Sequence, residues 1–331
     1  THVARNEHDA EGSEMTRPPH PALDMAAATM VPIAQRPSKV THEHLVDPAT
    51  YQSSNRSLER MLPPTLKSAD LTAIADAWAA AVTERRAVIL GMGAHPIKVG
   101  LSRLIVDLIE RGWLGAVAGT GAVGIHDWEM ATAGHTSEDV ADGLRSGMFG
   151  MAAETAEAYW AAVALADREG YGLGQAVGRR LAEAAPEFGR LSVLGAAYEH
   201  DVPATLHVTF GADTVHMAPQ QDAAALGRAA VRDFGVFAEA VTRLHDGGVY
   251  LNLGSAVTLP EVFLKAVNIA RNVTGRPHRL VTANLDMVQH YRPAQNVVDR
   301  PTQPDGHGYS ITGHHEILFP LLYAMVRDRL S

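Results

Sequence analysis

Two adjacent histidines and a glutamate stand near the end of the sequence, in "ITGHHEILFP" (Ile311 to Pro320). Imidazole and carboxylate groups can bind a metal, carry protons near neutral pH, or hold a cofactor. Adjacent helical residues point about 100° apart, so His314 and His315 cannot both face one ion from a regular helix. Gly313 reads as the turn entering a last helix, with Glu316 as a first-turn carboxylate that suits the helix dipole. The chain has 17 histidines, and several lie in glycine-bearing turns. His95 follows Gly93-Ala94, where a pyrophosphate or ribose would sit. His126 and Asp127 follow "AGTGAVG" and suit acid–base work or amine binding; a plainer role for Asp127 is to complement a helix N-terminus. Glu129 is a weaker third member. In "HVTFGADTVH", Asp213 is a candidate carboxylate for a ribose or substrate, whereas His207 reads equally as a core histidine, and His216 lies nearby. Asn284 and Asp286 share a strand face with Thr282.

Zinc needs three or four converging ligands. No pair here has the helical spacing of His-Glu-x-x-His, and the His-x-His of "THEHL" has no spaced partners downstream. No metal ligands are assigned, and a histidine-rich metal centre is kept as an alternative.

These residues must be held by a scaffold. "SADLTAIADAWAAAVTERR" predicts a helix with Ser68 as its N-cap. "AVILGMGAHPIKVGLSRLIVDLIERG" then reads strand (87–90), glycine turn, and helix from Pro96, a favourable first helical residue. "LGAVAGTGAVGIHDWEMA" repeats the theme. Helices are expected over 136–146, 152–169, 172–185, 221–245, 259–272 and 314–329, and strands at "ATLHVTF", "GGVYLNL" and "HRLVTANLD". Strands alternating with helices indicate an α/β fold, a doubly wound, mostly parallel sheet covered by helices on both faces. Ligands on such sheets bind at the carboxyl ends of the strands. Residues 1–45 read as an irregular, proline-dotted arm and 46–331 as one domain. "DRPTQPDGHGYS" (299–310) is expected to be a loop, and a loop of that length in a compact domain is more often functional than idle; it carries His307.

Lys plus Arg is 28 and Asp plus Glu is 37, a net charge of −9 with no basic stripe. Nucleic acid is therefore not an expected partner, and cationic ligands are modestly favoured. With no cysteine, disulfides, thiolate metal sites and cysteine nucleophiles are excluded. No apolar run is long enough for a membrane span and the start lacks a secretory pattern, so a cytoplasmic location is expected.

Over residues 60–330 the chain resembles the deoxyhypusine synthase family. Four segments carry the likeness: "AVILGMGAHPIKVGLSRLIVDLIERGWLGAVAGTGAVG", "VPATLHVTFGADTVHM", "YLNLGSAV" and "EILFPLLYAMV". The resemblance implies a Rossmann-like fold, a bound NAD, and a homotetramer with sites at a dimer interface. Residue by residue, it places cofactor contacts on Gly93, Ala94 and His95; on Gly119, Thr120 and Gly121; on Gly254 and Ser255; on Thr282 and Ala283; and at the last helix on His314, with Asp213 added as the ribose carboxylate. Of the histidine pair, His314 is expected to face the cofactor. The family's chemistry runs through a lysine before the last helix, yet this sequence has no lysine after Lys265. The family's histidine pair after the Leu-Gly-Gly turn is also missing.

The expected function is therefore an NAD-dependent transferase or oxidoreductase acting on a small amine- or hydroxyl-bearing substrate, and not modification of a protein lysine. His126, His307 and His315 are the expected proton carriers, with Asp127 and Asp213 binding a cationic substrate. Two other readings stay open: a metal-dependent hydrolase on the same sheet, and a non-catalytic nucleotide-binding scaffold.

Overall fold

The computed structural model describes residues 25–45, 59 and 62–331. Most of the expected arm, residues 1–24, lies outside them. In chain order the regular elements are β1 (Ser38–Thr41), α1 (Leu66–Thr83), β2 (Val88–Met92), α2 (His95–Lys98), α3 (Ser102–Glu110), β3 (Ala116–Thr120), α4 (Gly121–Ala133) and β4 (His135–Glu138). They continue with α5 (Val140–Ser146), α6 (Ala153–Glu169), α7 (Leu173–Ala184), α8 (Val193–Glu199), β5 (Ala204–His207), α9 (Ala223–Thr242), β6 (Val249–Leu253), α10 (Thr258–Thr274), β7 (Val281–Asp286), β8 (His307–Thr312) and α11 (His315–Leu330). Among the described residues no helix is long and apolar enough to cross a membrane.

Six strands form one sheet in the order β5-β3-β2-β6-β7-β8, every pairing parallel. Counted along the chain this is 3-2-1-4-5-6, the doubly wound order of dinucleotide-binding folds. The order reverses between β2 and β6, so the crevice at their carboxyl ends is the topological switch point.

Side-chain alternation explains why both faces are covered. On β2, Leu90 and Met92 join one core with Trp78, Leu104 and Leu322, while Ile89 joins the other with Phe237 and Phe263. β6 repeats this, with Leu251 and Leu253 on the first side and Tyr250 on the second, stacked on Phe263 at 3.7 Å. Strands buried on both faces read as continuous apolar runs, which is why "AVIL" and "VYLNL" were legible.

Three expectations need correction. The 299–310 segment is not a loop throughout: its last four residues open β8, paired along β7 from Val281↔His307 to Asp286↔Thr312. The first helix begins at Leu66 with Thr65 at its N-cap position, not at Ser68. The stretch 136–146 divides into β4 and α5, because β4 pairs antiparallel with β1 (Ser38↔Glu138, Thr41↔His135). The described part of the N-terminal segment thereby docks on its own chain.

Candidate functional site

Three glycine turns build the carboxyl end of the sheet. At the switch point, a Cβ on Gly93 would strike the Gly254 carbonyl, so the ends of β2 and β6 approach backbone to backbone. Gly254 has φ +69°, and a Cβ there would lie 2.7 Å from the His315 ring. Both positions exclude larger residues.

The β3–α4 turn reads Gly119-Thr120-Gly121-Ala122-Val123-Gly124, a G-x-G-x-x-G between a strand and a helix. Each glycine has a separate steric reason. A Cβ on Gly119 would lie 2.8 Å from Val123, and one on Gly124 would lie 2.6 Å from Leu206 of β5. One on Gly121 would land on the Asp213 carboxylate. Thr120, the N-cap of α4, makes no side-chain cap, so the first amide donors of that helix point to the sheet end without a capping side chain, as at sites that bind anions. Asp213 follows β5, the strand next to β3, and is 8% exposed. Among the described residues its carboxylate accepts one hydrogen bond, from the Thr209 amide 3.3 Å away. Burial pushes its carboxyl up to about 6.

His95 and His315 meet over the switch point, Nδ1 to Nδ1 at 2.8 Å. His315 is 1% exposed and its Nε2 lies 3.1 Å from the Leu285 carbonyl. A carbonyl can only accept, so Nε2 carries a proton; with His315 neutral, its Nδ1 accepts from His95 Nδ1–H. That leaves a lone pair on His95 Nε2. Burial, with His315 beside it, holds His95 below its ordinary pKa.

A cavity of about 210 Å³ opens beside α4, lined by Arg36, Lys98, His126, Glu138 and Asp213, with Ala122, Ile125, Val140 and Phe149 among its apolar walls. The Arg36 guanidinium binds Glu129 through two bonds of 2.9 and 2.7 Å and reaches Glu138 at 3.4 Å. Glu129 is fully buried and also accepts from Thr136 (2.5 Å) and Thr155 (3.1 Å). Because the Thr136 hydroxyl donates to Glu129, it accepts from His126 Nδ1–H at 2.6 Å. His126 thus carries a proton on Nδ1, and in the neutral ring Nε2 is the free acceptor. Burial, then the Lys98 and Arg36 charges, holds its pKa well below the ordinary value. Lys98 is also depressed, chiefly by burial.

The expected residues separate into several groups. Gly93, Ala94, His95, Gly119, Thr120, Gly121, Gly254, His126, Asp213 and His315 converge on the carboxyl end of the sheet. Ser255 is there too, but its hydroxyl accepts from Leu259 N at 3.1 Å and starts α10. Four expectations are overturned. Asp127 points away from the cavity: it accepts from Ser192 Oγ (2.6 Å), Val193 N (2.8 Å) and Leu194 N (3.0 Å), anchoring the start of α8. His307 opens β8 opposite Val281, at the amino end of the sheet. Thr282 and Ala283 lie within β7, Thr282 bonded to the Val297 carbonyl and Ala283 in the core. The histidine pair is reversed: His314 is at the surface, 3.7 Å from Glu316, and His315 faces the strand ends.

His207 is a core histidine, 5.2 Å from Phe237, with its pKa lowered to about 4 by burial. His216 stacks on Phe210 at 5.5 Å. Asn284 belongs to a buried amide chain, accepting from Asn252 (2.7 Å) and donating to Gln289 (2.7 Å). Among the described residues no three His, Asp or Glu side chains converge as a metal centre.

The sequence reading missed Gly124, Arg36, Lys98 and Glu138. Gly124 was detectable as the third glycine of the fingerprint. Arg36 was not, since nothing in an irregular segment indicates a partner 93 residues away.

Strand order and strand-end glycines define a doubly wound, Rossmann-like α/β fold. Comparison with solved structures agrees at the level of fold. AgrE in ternary complex with ornithine and NAD+ matches with a TM-score of 0.51 at 13% identity, over 83% of this chain and 34% of AgrE. The chain thus spans about a third of the length of that protein. A conserved LOR/SDH protein from Methanococcus maripaludis S2 matches with a TM-score of 0.50 at 14% identity, over 80% of this chain and 70% of that one. A protein described as a deoxyhypusine synthase, from Entamoeba histolytica, gives 0.47 at 11% identity over 84% and 96%. No protein-family model and no curated protein matches the chain.

Proposed function

We propose that the chain is an NAD-dependent enzyme acting on a small amine- or hydroxyl-bearing substrate. The observation that carries this reading is the Gly119-x-Gly121-x-x-Gly124 turn with Asp213 set against its middle glycine. In dinucleotide-binding folds the first glycine makes the tight turn, the second lets backbone approach the pyrophosphate, and the third lets helix and strand pack. The residues here fit that group: Gly119 and Gly124 are held by packing, and α4 starts without a side-chain cap. Gly93, Gly254 and His95 would hold the other half of the cofactor at the switch point. AgrE, of like fold, is a protein seen with NAD+ and ornithine.

When bound, NAD supplies a hydride acceptor. The chain's own residues do the rest. His126 borders the cavity as an imidazole whose charged form is disfavoured by burial and by the Lys98 and Arg36 charges, so its Nε2 offers a hydrogen-bond acceptor to the substrate. His95 Nε2 is a second acceptor, oriented through His315 by the Leu285 carbonyl. Ile125, Val140 and Phe149 give the cavity an apolar wall, which strengthens the charges beside it.

Calorimetric titration of the protein with NAD+ and with NADP+, alongside mass spectrometry of the protein as purified, tests this. NAD+ binding that Gly121→Ala weakens at least tenfold is the expected result. If neither dinucleotide binds and none is carried through purification, the reading is wrong.

A further inference from the structure

The cavity beside α4 holds two opposite charges that do not satisfy one another. Lys98 has no ion-pair partner among the described residues, and Asp213 has none either. Both line the same cavity, yet no ion pair joins them. The other lysines with described side chains behave differently: Lys67 pairs with Asp70 and Lys265 with Glu261, both at the surface. Arg36 is not free to serve in place of Lys98, because Glu129 and Glu138 already occupy it. A charge taken out of water without a partner is unfavourable, and proteins normally pair it.

From this juxtaposition we propose that the cavity is a zwitterion site, which takes a free amino acid with its carboxylate on Lys98 and an ammonium group on Asp213. This deepens the reading of a small amine-bearing substrate and rests on it for the site's role in chemistry, though not for binding. One free lysine matches one carboxylate; a phosphate would call for a second cation, and the nearby guanidinium is committed. The apolar walls of Ile125, Val140 and Phe149 suit a short methylene chain between the two ends. The volume of about 210 Å³ is below the roughly 300–1,000 Å³ typical of drug-sized ligands and in keeping with a metabolite. His126 borders the same space.

The test is calorimetry on the full chain, with and without NAD+. Free L-amino acids, among them L-norvaline and L-ornithine, are compared with butylamine and putrescine, which lack the carboxylate, and with pentanoate, which lacks the amine. At least one amino acid should bind, with its matched amine and acid at least tenfold weaker. Lys98→Met should cut amino-acid affinity at least tenfold while leaving the weak amine binding unchanged, and Asp213→Asn should show the converse. Lys98→Arg should retain most of the affinity, which separates charge from folding; circular dichroism of each variant checks the fold. The proposal is overturned if no amino acid binds, if an amine or an acid alone binds equally well, or if Lys98→Met has no effect. Discrimination that persists without any NAD+ binding would sink the cofactor reading and leave the zwitterion site standing.

Discussion

His95 and His315, 220 residues apart, meet Nδ1 to Nδ1 at 2.8 Å. The inner ring is locked by the Leu285 carbonyl and the outer one keeps a lone pair. His315→Ala should therefore act on His95. It removes a neighbouring imidazole and lets water in, and burial and His315 are the two leading causes of the depressed value. In an NMR pH titration, with the signal assigned by His95→Gln, the His95 pKa should rise toward about 6.5. Stability should fall by roughly 2 kcal/mol through the lost packing and hydrogen bonds. An unmoved His95 titration would show that the contact does not tune it.

The three glycines of the α4 turn should separate by experiment. Gly124→Ala forces a methyl group onto Leu206 and should destabilise by about 1–3 kcal/mol, as overpacking does. Gly121→Ala meets only the movable Asp213 carboxylate, so it should unfold at nearly the wild-type denaturant midpoint while losing NAD+ affinity. Equal loss of stability in both variants would contradict this division.

Asp213 carries a pH signature. Its folded value, about 6, lies above the ordinary value of 3.8. Below about pH 4 both states are protonated and the group is neutral in effect. As pH rises toward 6 the unfolded chain ionises first, so stability is lost, by up to about 3 kcal/mol above pH 7. Asp213→Asn should therefore unfold at higher urea than wild type at pH 8, with the gap closing by pH 4. Lys98, His126, Arg36 and Glu138 border it in the cavity; Glu138, raised by burial, gains a proton on acidification in both proteins, so the difference between them reports Asp213. A gap that widens on acidification would refute the assignment.

Glu129 is wholly buried and Arg36 is its only cation in contact among the described residues, since His126 is held neutral. Arg36→Met should destabilise by about 3–5 kcal/mol, the usual effect of stranding a buried charge. Adding Glu129→Gln should restore much of it. A double-mutant cycle in urea that shows simple additivity would mean the pair is not coupled.

Much of the sheet could be read from the sequence because its strands are apolar on both faces and end in glycines; "AVILGMG" and "YLNLG" are cases of this. β8 was missed for a physical reason. "HGYSIT" has a half-exposed burial pattern and follows prolines and glycines, and its pairing with β7 is set by tertiary contact rather than local propensity. Asp127 was misread because an acid near a helix start looks the same whether it faces a ligand or anchors the next helix. His314 and His315 were told apart as facing opposite ways, but which one faced inward depended on where α11 met Gly254. Arg36 and Lys98 carried no local pattern. A lysine beside a glycine turn becomes unusual only when its neighbours fail to neutralise it.

The Arg36 segment emerges from the ribosome before any strand of the sheet it serves, since domains are synthesised N-terminus first. Its carboxylate partner is 93 residues further on, and its β-sheet partner β4 follows that. Closing so long a loop is entropically unfavourable until α4 and β4 are in place to reward it. The wall of the cavity that Arg36 forms is thus made before the elements that hold it, and it is set only once α4 and β4 have formed.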